Sequence, residues 1–330
     1  MKLFYFGALL SAAAISFAAA GAQEKPPVAS SPASQSRNHR ALLVPRLIPG
    51  QTLRYQLDFR SQAKGSVVSA VDDPQGAREV DLSVGVLMRL DVLGAAAAGL
   101  RIRSTYEKLA ANVRSDTPDP ETEHIEKRMA QLEGRSFEFT MDKQGRVRGL
   151  SGLGELLPEQ GQAVEEWFTG IASAELLPEG GIALGEKWAS EQDAHLPLAD
   201  VKWVRESTYL RNELCRPAPN EAASRETCAV ILTHSLLTRK GDPKDATPPE
   251  YGKQGLRTSG TAEGTSENLT YISLTTGLVV SATQSGTQKM NVTVSLADGS
   301  NAVKYDADAK TQLQLSLVPE AVSPIAAPHP

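Results

Sequence analysis

Apolar and polar residues alternate strictly in several segments of this chain. Four apolar residues alternate with polar ones over 53–59, and the same pattern recurs over 290–296 and 313–317. A period of two residues is typical of a strand with one buried and one solvated face. Such strands are typical of antiparallel sheets. The sequence therefore predicts a mainly β fold, with curved antiparallel sheet and one or two short helices packed on it.

Further strands follow from the same pattern. They are expected near 79–93, 99–113, 135–141, 201–214, 227–239, 255–263 and 268–274. Asp298 and Gly299 lie between two alternating runs, and an Asp-Gly pair in that position predicts a tight hairpin.

Two helices interrupt the strands. The first is predicted to begin at Asp119 and Pro120 and to end before Gly134, because these residue types favour those positions. The second is predicted over about 159–171, where four apolar side chains recur at helical spacing. They are Val164, Trp167, Phe168 and Ile171. We expect this stripe to pack on the sheet and to line an apolar ligand, with ordinary core packing as the competing interpretation.

The N-terminus has the pattern of a secretory signal peptide. Lys2 precedes an apolar run over 3–17 and a small-residue stretch that ends at Ala22. We expect cleavage between Ala22 and Gln23, and a periplasmic or secreted protein. The apolar run is shorter than the roughly 20 residues that span a bilayer, and no transmembrane segment is expected in the mature chain.

Composition suggests the remaining boundaries. Residues 23–47 are rich in Pro, Ser and Gln and predict a disordered tether. A first β-rich half is expected over 48–176, a second over 177–318, and a disordered Pro-rich tail over 319–330.

The chain has two cysteines, Cys215 and Cys228. In an exported protein such a pair predicts a disulfide. A redox pair usually has a spacer of only two residues, so we interpret this pair as structural.

Two stretches of the chain resemble each other. The segment 139–147 and the segment 271–279 share the spacing of an aromatic residue, a glycine and a valine. Upstream, Gly50 and Gly185 each precede a strand region. A tandem duplication explains this similarity, and so does independent reuse of glycine in tight turns.

Patterns that would indicate catalysis or a cofactor do not stand out. The glycine-rich segment 149–154 lacks the Lys-Ser or Lys-Thr of a phosphate loop and the serine spacing of a nucleophile elbow. The five histidines are scattered, and a formal net charge of −5 with no basic block argues against nucleic-acid binding. No catalytic, metal or cofactor residue is predicted.

Four features together resemble a family of exported bacterial proteins known only as a domain of unknown function. They are the signal peptide, the strand at 50–55, the hairpin at 139–147 and the segment 177–188. The resemblance implies no activity. A looser likeness, at the level of fold, is to periplasmic lipoprotein carriers, in which a curved sheet wraps helices around an apolar cavity.

These observations predict an exported envelope protein that binds a lipid or another apolar ligand without catalysis. The main alternative is a structural or partner-binding envelope module. A hydrolase without a recognisable motif is a further alternative. No protein partner is predicted from the sequence.

Overall fold

The computed structural model describes residues 40–69, 75–116, 126–127, 129–152, 177–178, 180–196, 198–215, 226–241 and 246–318. These residues form one antiparallel sheet of 11 strands, one complete short helix and part of another helical segment at 126–127 and 129–130. The strands are β1 Thr52–Ser69, β2 Gln75–Ala96, β3 Gly99–Ser115, β4 Ser136–Met141, β5 Val147–Ser151, β6 Lys187–Leu196, β7 Ala199–Leu214, β8 Thr227–Arg239, β9 Leu256–Ser273, β10 Val279–Leu296 and β11 Val303–Val318. The helix is α1 Pro249–Lys253.

The strand order across the sheet is β5-β4-β3-β2-β1-β11-β10-β9-β8-β7-β6. Strands that follow each other in the chain are therefore neighbours, except that β11 pairs with β1 along Arg54–Ser69. This one pairing joins the two halves of the chain. Within the described residues the sheet stays open, with β5 and β6 at its edges. The predicted mainly β, antiparallel fold is confirmed.

Some predicted elements differ from those observed. The strands expected at 255–263 and 268–274 are one continuous strand, β9. Part of the first predicted helix is present, since residues 126–127 and 129–130 are helical. The backbone N–H of Gly134 then donates to the carbonyl of Tyr106 at 2.7 Å and ties this segment to β3. The second predicted helix, over 159–171, lies outside the described residues.

The helix α1 was not predicted. It has only five residues and follows Pro248, and neither its length nor its pattern gives an amphipathic signal. No helical segment in the described ranges is long and apolar enough to cross a membrane.

The predicted hairpin at Asp298 and Gly299 joins β10 to β11. The backbone N–H of Gly299 donates to the carbonyl of Leu296 at 2.9 Å, and Leu296 N–H donates to the carbonyl of Ser300 at 2.9 Å. The Asp-Gly turn therefore connects the two strands, as the sequence predicts, and their pairing begins at Val294 and Val303.

The sheet has two ends and two faces. We call the end at which β1 begins the proximal end, and the other the distal end. We call the face that carries Tyr55 and Leu57 the apolar face, and the face that carries Arg60 and Gln62 the polar face. Because alternate residues point to opposite faces, each strand contributes to both.

The two halves begin their first strands with the same hydrogen bonds. Gly50 N–H donates to the carbonyl of Val92 on β2 at 2.8 Å, and Gly185 N–H donates to the carbonyl of Tyr209 on β7 at 2.8 Å. The residue after each glycine accepts a bond in return, at 2.9 Å from Val92 and 3.0 Å from Tyr209. These matched contacts support the duplication, which stays a prediction.

A β-bulge recurs at the same place in both halves. The β2–β3 register shifts between Val92 and Gly94, and the β7–β8 register shifts between Tyr209 and Arg211. Val92 pairs with Ile102 and Tyr209 pairs with a second buried isoleucine, Ile231. An extra residue at corresponding positions bends both hairpins in the same way.

The chain ahead of β1 packs on the proximal end. Ala41 and Ile182 form an antiparallel bridge, Leu43 is buried at 3% exposure, and Arg46 N–H donates to the carbonyl of Thr276 at 2.7 Å. Residues 41–46, which lie inside the tether predicted over 23–47, therefore contact the rest of the fold. The apolar pair Leu42-Leu43 was the available signal.

Candidate ligand-binding face

The apolar face of β1–β4 is filled with apolar side chains. Two tyrosines lie among them, Tyr55 at 1% and Tyr106 at 7% exposure. The hydroxyl of Tyr55 donates to the carbonyl of Val279 at 3.1 Å. Burial raises the pKa of Tyr55 far above its usual value, because the ionised form would lose its hydration. Tyr55 is therefore a neutral, hydrogen-bonded core residue.

The apolar face changes character on β7–β10, where polar side chains cross it side by side. We call these side chains the polar band. Its members are Arg205, Ser207, Thr233, Ser235, Ser266, Asn268 and Gln284. Ser207 and Thr233 share a hydrogen bond of 2.8 Å between their hydroxyls. Polar groups taken from water need such partners, so the band forms a specific polar surface.

Arg205 is the charged residue of the polar band and is only 8% exposed. Its guanidinium carbon lies 4.1 Å from the centre of the Trp203 ring, which is a cation–π contact. The two residues lie on the same face of β7 because they are two positions apart. Trp203 thereby orients a buried cation with five N–H donors.

Two apolar clusters flank the polar band. The distal cluster is built around Val201, Ala262 and Val292. The proximal cluster includes Ile231 and Ile272 and continues into the apolar face of β1–β4. Buried polar groups thus lie between two buried apolar surfaces on a single face.

A small cavity lies over the polar band. Its volume is about 60 Å³, and Trp188, Trp203, Arg205 and Leu177 are among its lining residues. This is room for about two water molecules.

The predicted disulfide joins Cys215 and Cys228, whose Cα atoms are 5.0 Å apart. Both residues are fully buried at the proximal end, next to Val280. Cys215 N–H also donates to the carbonyl of Glu226 at 2.8 Å. The bond closes the β7–β8 connection, and it is compatible with export.

The other predicted site residues lie outside the described residues. These are the apolar stripe Val164, Trp167, Phe168 and Ile171, and the cleavage pair Ala22 and Gln23. The sequence pattern did not reveal the polar band, because serine and threonine on a strand look the same on either face. The pattern that could have revealed it is Trp203-x-Arg205-x-Ser207, in which two polar side chains follow an apolar one on the same face of a strand.

Titratable groups do not converge on a metal site in the described ranges. No group of three or more His, Cys, Asp or Glu side chains there is placed to hold an ion.

No family model matches the chain, and no curated protein matches it. Similar solved structures include lipovitellin, in a structure concerned with its lipid–protein interactions, at 11% identity and a TM-score of 0.40. That match covers 82% of this chain, which spans only 25% of the lipovitellin chain.

Two bacterial structures also show similarity. An outer membrane channel from Pseudomonas putida F1 is 8% identical with a TM-score of 0.23, over 83% of this chain and 98% of the other. A DUF1329 family protein from Desulfovibrio piger is 9% identical with a TM-score of 0.14, over 80% and 86%. Similarity at this level carries no argument about function.

Proposed function

We propose that this protein is an exported, non-enzymatic binding protein whose apolar face holds an amphipathic, lipid-like molecule. The observation that carries the proposal is the polar band between two apolar clusters on one face. A molecule with a polar head and an apolar chain presents the complementary pattern. Ligand sites are commonly apolar with a few placed polar groups.

Arg205 indicates the charge of the ligand's head group. A guanidinium held over Trp203 can donate to a carboxylate or phosphate while keeping its other contacts, since it has five donors. Ser207 lies two residues after Arg205 on the same face of β7, and Thr233 lies opposite Ser207 on β8. The ligand head is therefore expected to be anionic, and its chain to lie along a flanking cluster.

The test is a titration of the mature protein with palmitate, followed by the emission of its three tryptophans, of which Trp188 and Trp203 line the cavity. We expect saturable binding. Arg205→Gln should weaken it about tenfold, because a charge-assisted hydrogen bond is lost, and should affect hexadecanol much less. Arg205→Lys should restore part of the affinity.

The matched control is Arg211→Gln, on the same strand. Arg211 is exposed and pairs with Glu213 at 2.7 Å, so its loss should leave palmitate binding unchanged. Near-UV circular dichroism shows whether each variant is folded. Absence of saturable binding by folded wild-type protein would overturn the proposal.

A second candidate function is partner binding at the proximal end. Most of the large apolar side chains that are exposed among the described residues lie there: Leu42, Ile48, Leu93, Leu184, Leu210 and Leu214. Apolar residues gathered at one end favour an interaction surface. Replacing Ile48 and Leu184 with Ser should abolish association with a partner and leave palmitate titration unchanged.

A further inference from the structure

A polar groove of about 970 Å³ crosses the polar face of the sheet. Its lining runs from Arg114 on β3 to His234 on β8 and so spans seven adjacent strands. Strands lie about 4.8 Å apart, so six spacings give a groove about 29 Å long. Its volume is in the range of known ligand sites, and its length suits an extended molecule.

The register places the charged lining side by side. Arg114 lies opposite Asp81, Asp81 opposite Gln62, and Gln62 opposite Lys310, on four adjacent strands. Arg60 is two positions before Gln62 on the same face of β1. Three cations are thus gathered around one carboxylate and one amide in the middle of the sheet.

The central cations have neutral neighbours across the strands. Arg60 lies between Gln312 and Ser83, and Lys310 lies between Gln62 and Thr287. In the part of the chain that the structure describes, neither forms an ion pair.

Cations outside the groove are placed differently. Lys64 lies between Asp308 and Glu79, and Lys289 lies between Asp308 and Glu263. Arg54 pairs with Glu107 at 2.9 Å. Arg60 and Lys310 therefore lack an acidic partner directly across either neighbouring strand, in a chain whose net charge is −5. The acidic side chains of the lining are Asp81, opposite Arg114, and Glu267, which lies 3.6 Å from His234.

Asp81 supplies a second indication of a ligand. Its Oδ1 atom is buried and accepts no hydrogen bond from the described residues. Buried polar atoms normally have a partner. A ligand with hydroxyl or amine donors, or an ordered water, would satisfy an acceptor of this kind.

We propose that this groove binds an extended, anionic, hydroxyl-rich chain, of the class of acidic polysaccharides. Its carboxylates would pair with Arg60, Lys310 and Arg114, and its hydroxyls would donate to Asp81 Oδ1 and to Gln312. The described lining contains no Phe, Tyr or Trp side chain, whereas single-stranded nucleic acids are commonly held on aromatic stacking surfaces. This site is on the opposite face from the polar band and does not depend on the proposed lipid function.

The test is calorimetric titration of the mature protein with oligogalacturonate, with dextran as the neutral chain and polyacrylate as an anionic chain without hydroxyls. We expect oligogalacturonate to bind more tightly than either, and longer oligomers to bind more tightly than the dimer. Arg60→Gln/Lys310→Gln should weaken binding about tenfold or more, since two charge-assisted contacts are lost.

The matched control is Lys64→Gln/Lys289→Gln, which removes the same charge from the same face outside the groove. It should change oligogalacturonate affinity less than roughly threefold, the effect of long-range charge alone. Equal loss in both variants, equal binding of polyacrylate, tighter binding of single-stranded DNA, or no binding of oligogalacturonate would each overturn the proposal.

Discussion

The two halves of the apolar face differ along a single row of side chains. The row is apolar where it crosses β3, β2, β1 and β11, and polar where it crosses β10, β9, β8 and β7. It reads Ala111, Val84, Phe59, Leu313, Gln284, Asn268, Thr233 and Ser207. The backbone pairing is the same throughout, so the side chains alone change the face from a packed core into a polar surface.

The difference shows which part of the apolar face forms the core and which part carries polar side chains. Apolar side chains on β1–β4 stabilise the fold by leaving water and need no specific partner. Polar side chains of the band must instead satisfy one another, as Ser207 and Thr233 do. The apolar face therefore combines a packed core and a polar surface within one sheet.

The halves also differ in how their bulged hairpins are connected. The strands β2 and β3 are joined by Ala97 and Ala98, whereas β7 and β8 are joined by residues 215–226 and the disulfide. A short turn holds its strands together by itself. A longer connection has more conformational entropy in the unfolded chain.

The largest expected effect comes from removing the disulfide that closes the longer β7–β8 connection. Cys215→Ser/Cys228→Ser should lower the free energy of unfolding by about 3 kcal/mol, as the chain-entropy model gives for a loop of this length. Urea denaturation measures it. Ala97→Ser, in the exposed β2–β3 turn, is the control and should change stability by less than about 0.5 kcal/mol. An unchanged midpoint for the double serine variant would contradict the structural role of the bond.

A smaller effect separates two turn glycines. Gly185 has a φ of +80°, and a Cβ added there would have nothing within 4 Å, while Gly277 has a φ of +69° and its Cβ would meet the Val44 carbonyl oxygen at 2.0 Å. Gly185→Ala should cost about 1–2 kcal/mol from left-handed backbone alone. Gly277→Ala should cost more, because the segment before β1 must also move.

Thermal unfolding of both glycine variants tests this ordering. Equal losses would show that residues 40–47 contribute nothing to the stability of the β9–β10 turn. Gly50→Ala is the matched control for Gly185→Ala, since it too has a left-handed φ and open space around its Cβ, and the two should lose the same stability.

The smallest expected effect is a change in stability at low pH that depends on Asp142. In the β4–β5 turn, the Asp142 carboxylate accepts backbone N–H bonds from Gln144 and Arg146, each at 2.9 Å. Partial burial raises the pKa of Asp142, but these bonds and the Arg146 side chain outweigh it, and the pKa lies below its usual value. In the β9–β10 turn, the Ser273 hydroxyl accepts the corresponding bonds from Thr275 and Thr276.

The sign of the pH dependence follows from the lowered pKa. The contribution of Asp142 is fully present above its unfolded pKa of about 3.9 and is lost as the pH falls through the lower folded value. Asp142→Asn should therefore have two different costs, about 1 kcal/mol at pH 7 and little at low pH. Denaturation at pH 7 and at about pH 2.5 compares them, and a pH-independent loss for Asp142→Asn would contradict the interpretation.

Much of the fold was predictable from local pattern. Alternation located most strands, the Asp298-Gly299 turn was correct, and the cysteine pair was correct. The shared spacing of 139–147 and 271–279 located two hairpin turns but not the length of either turn. Met141 pairs with Val147, and Ile272 pairs with Val279, so the second turn is one residue longer. A glycine and a valine at fixed spacing do not reveal turn length.

The sequence by itself determined which residues are extended and which of them share a face, because a period of two is a property of each strand alone. Only the tertiary structure decided that β11 lies beside β1. This pairing places Arg60 and Lys310 in one groove. On the other face it places Leu313 between Phe59 and Gln284, where the apolar row meets the polar band. The physical reason is that backbone N–H and C=O groups are the same at every residue. Alternation therefore specifies the face of a strand but not its neighbour.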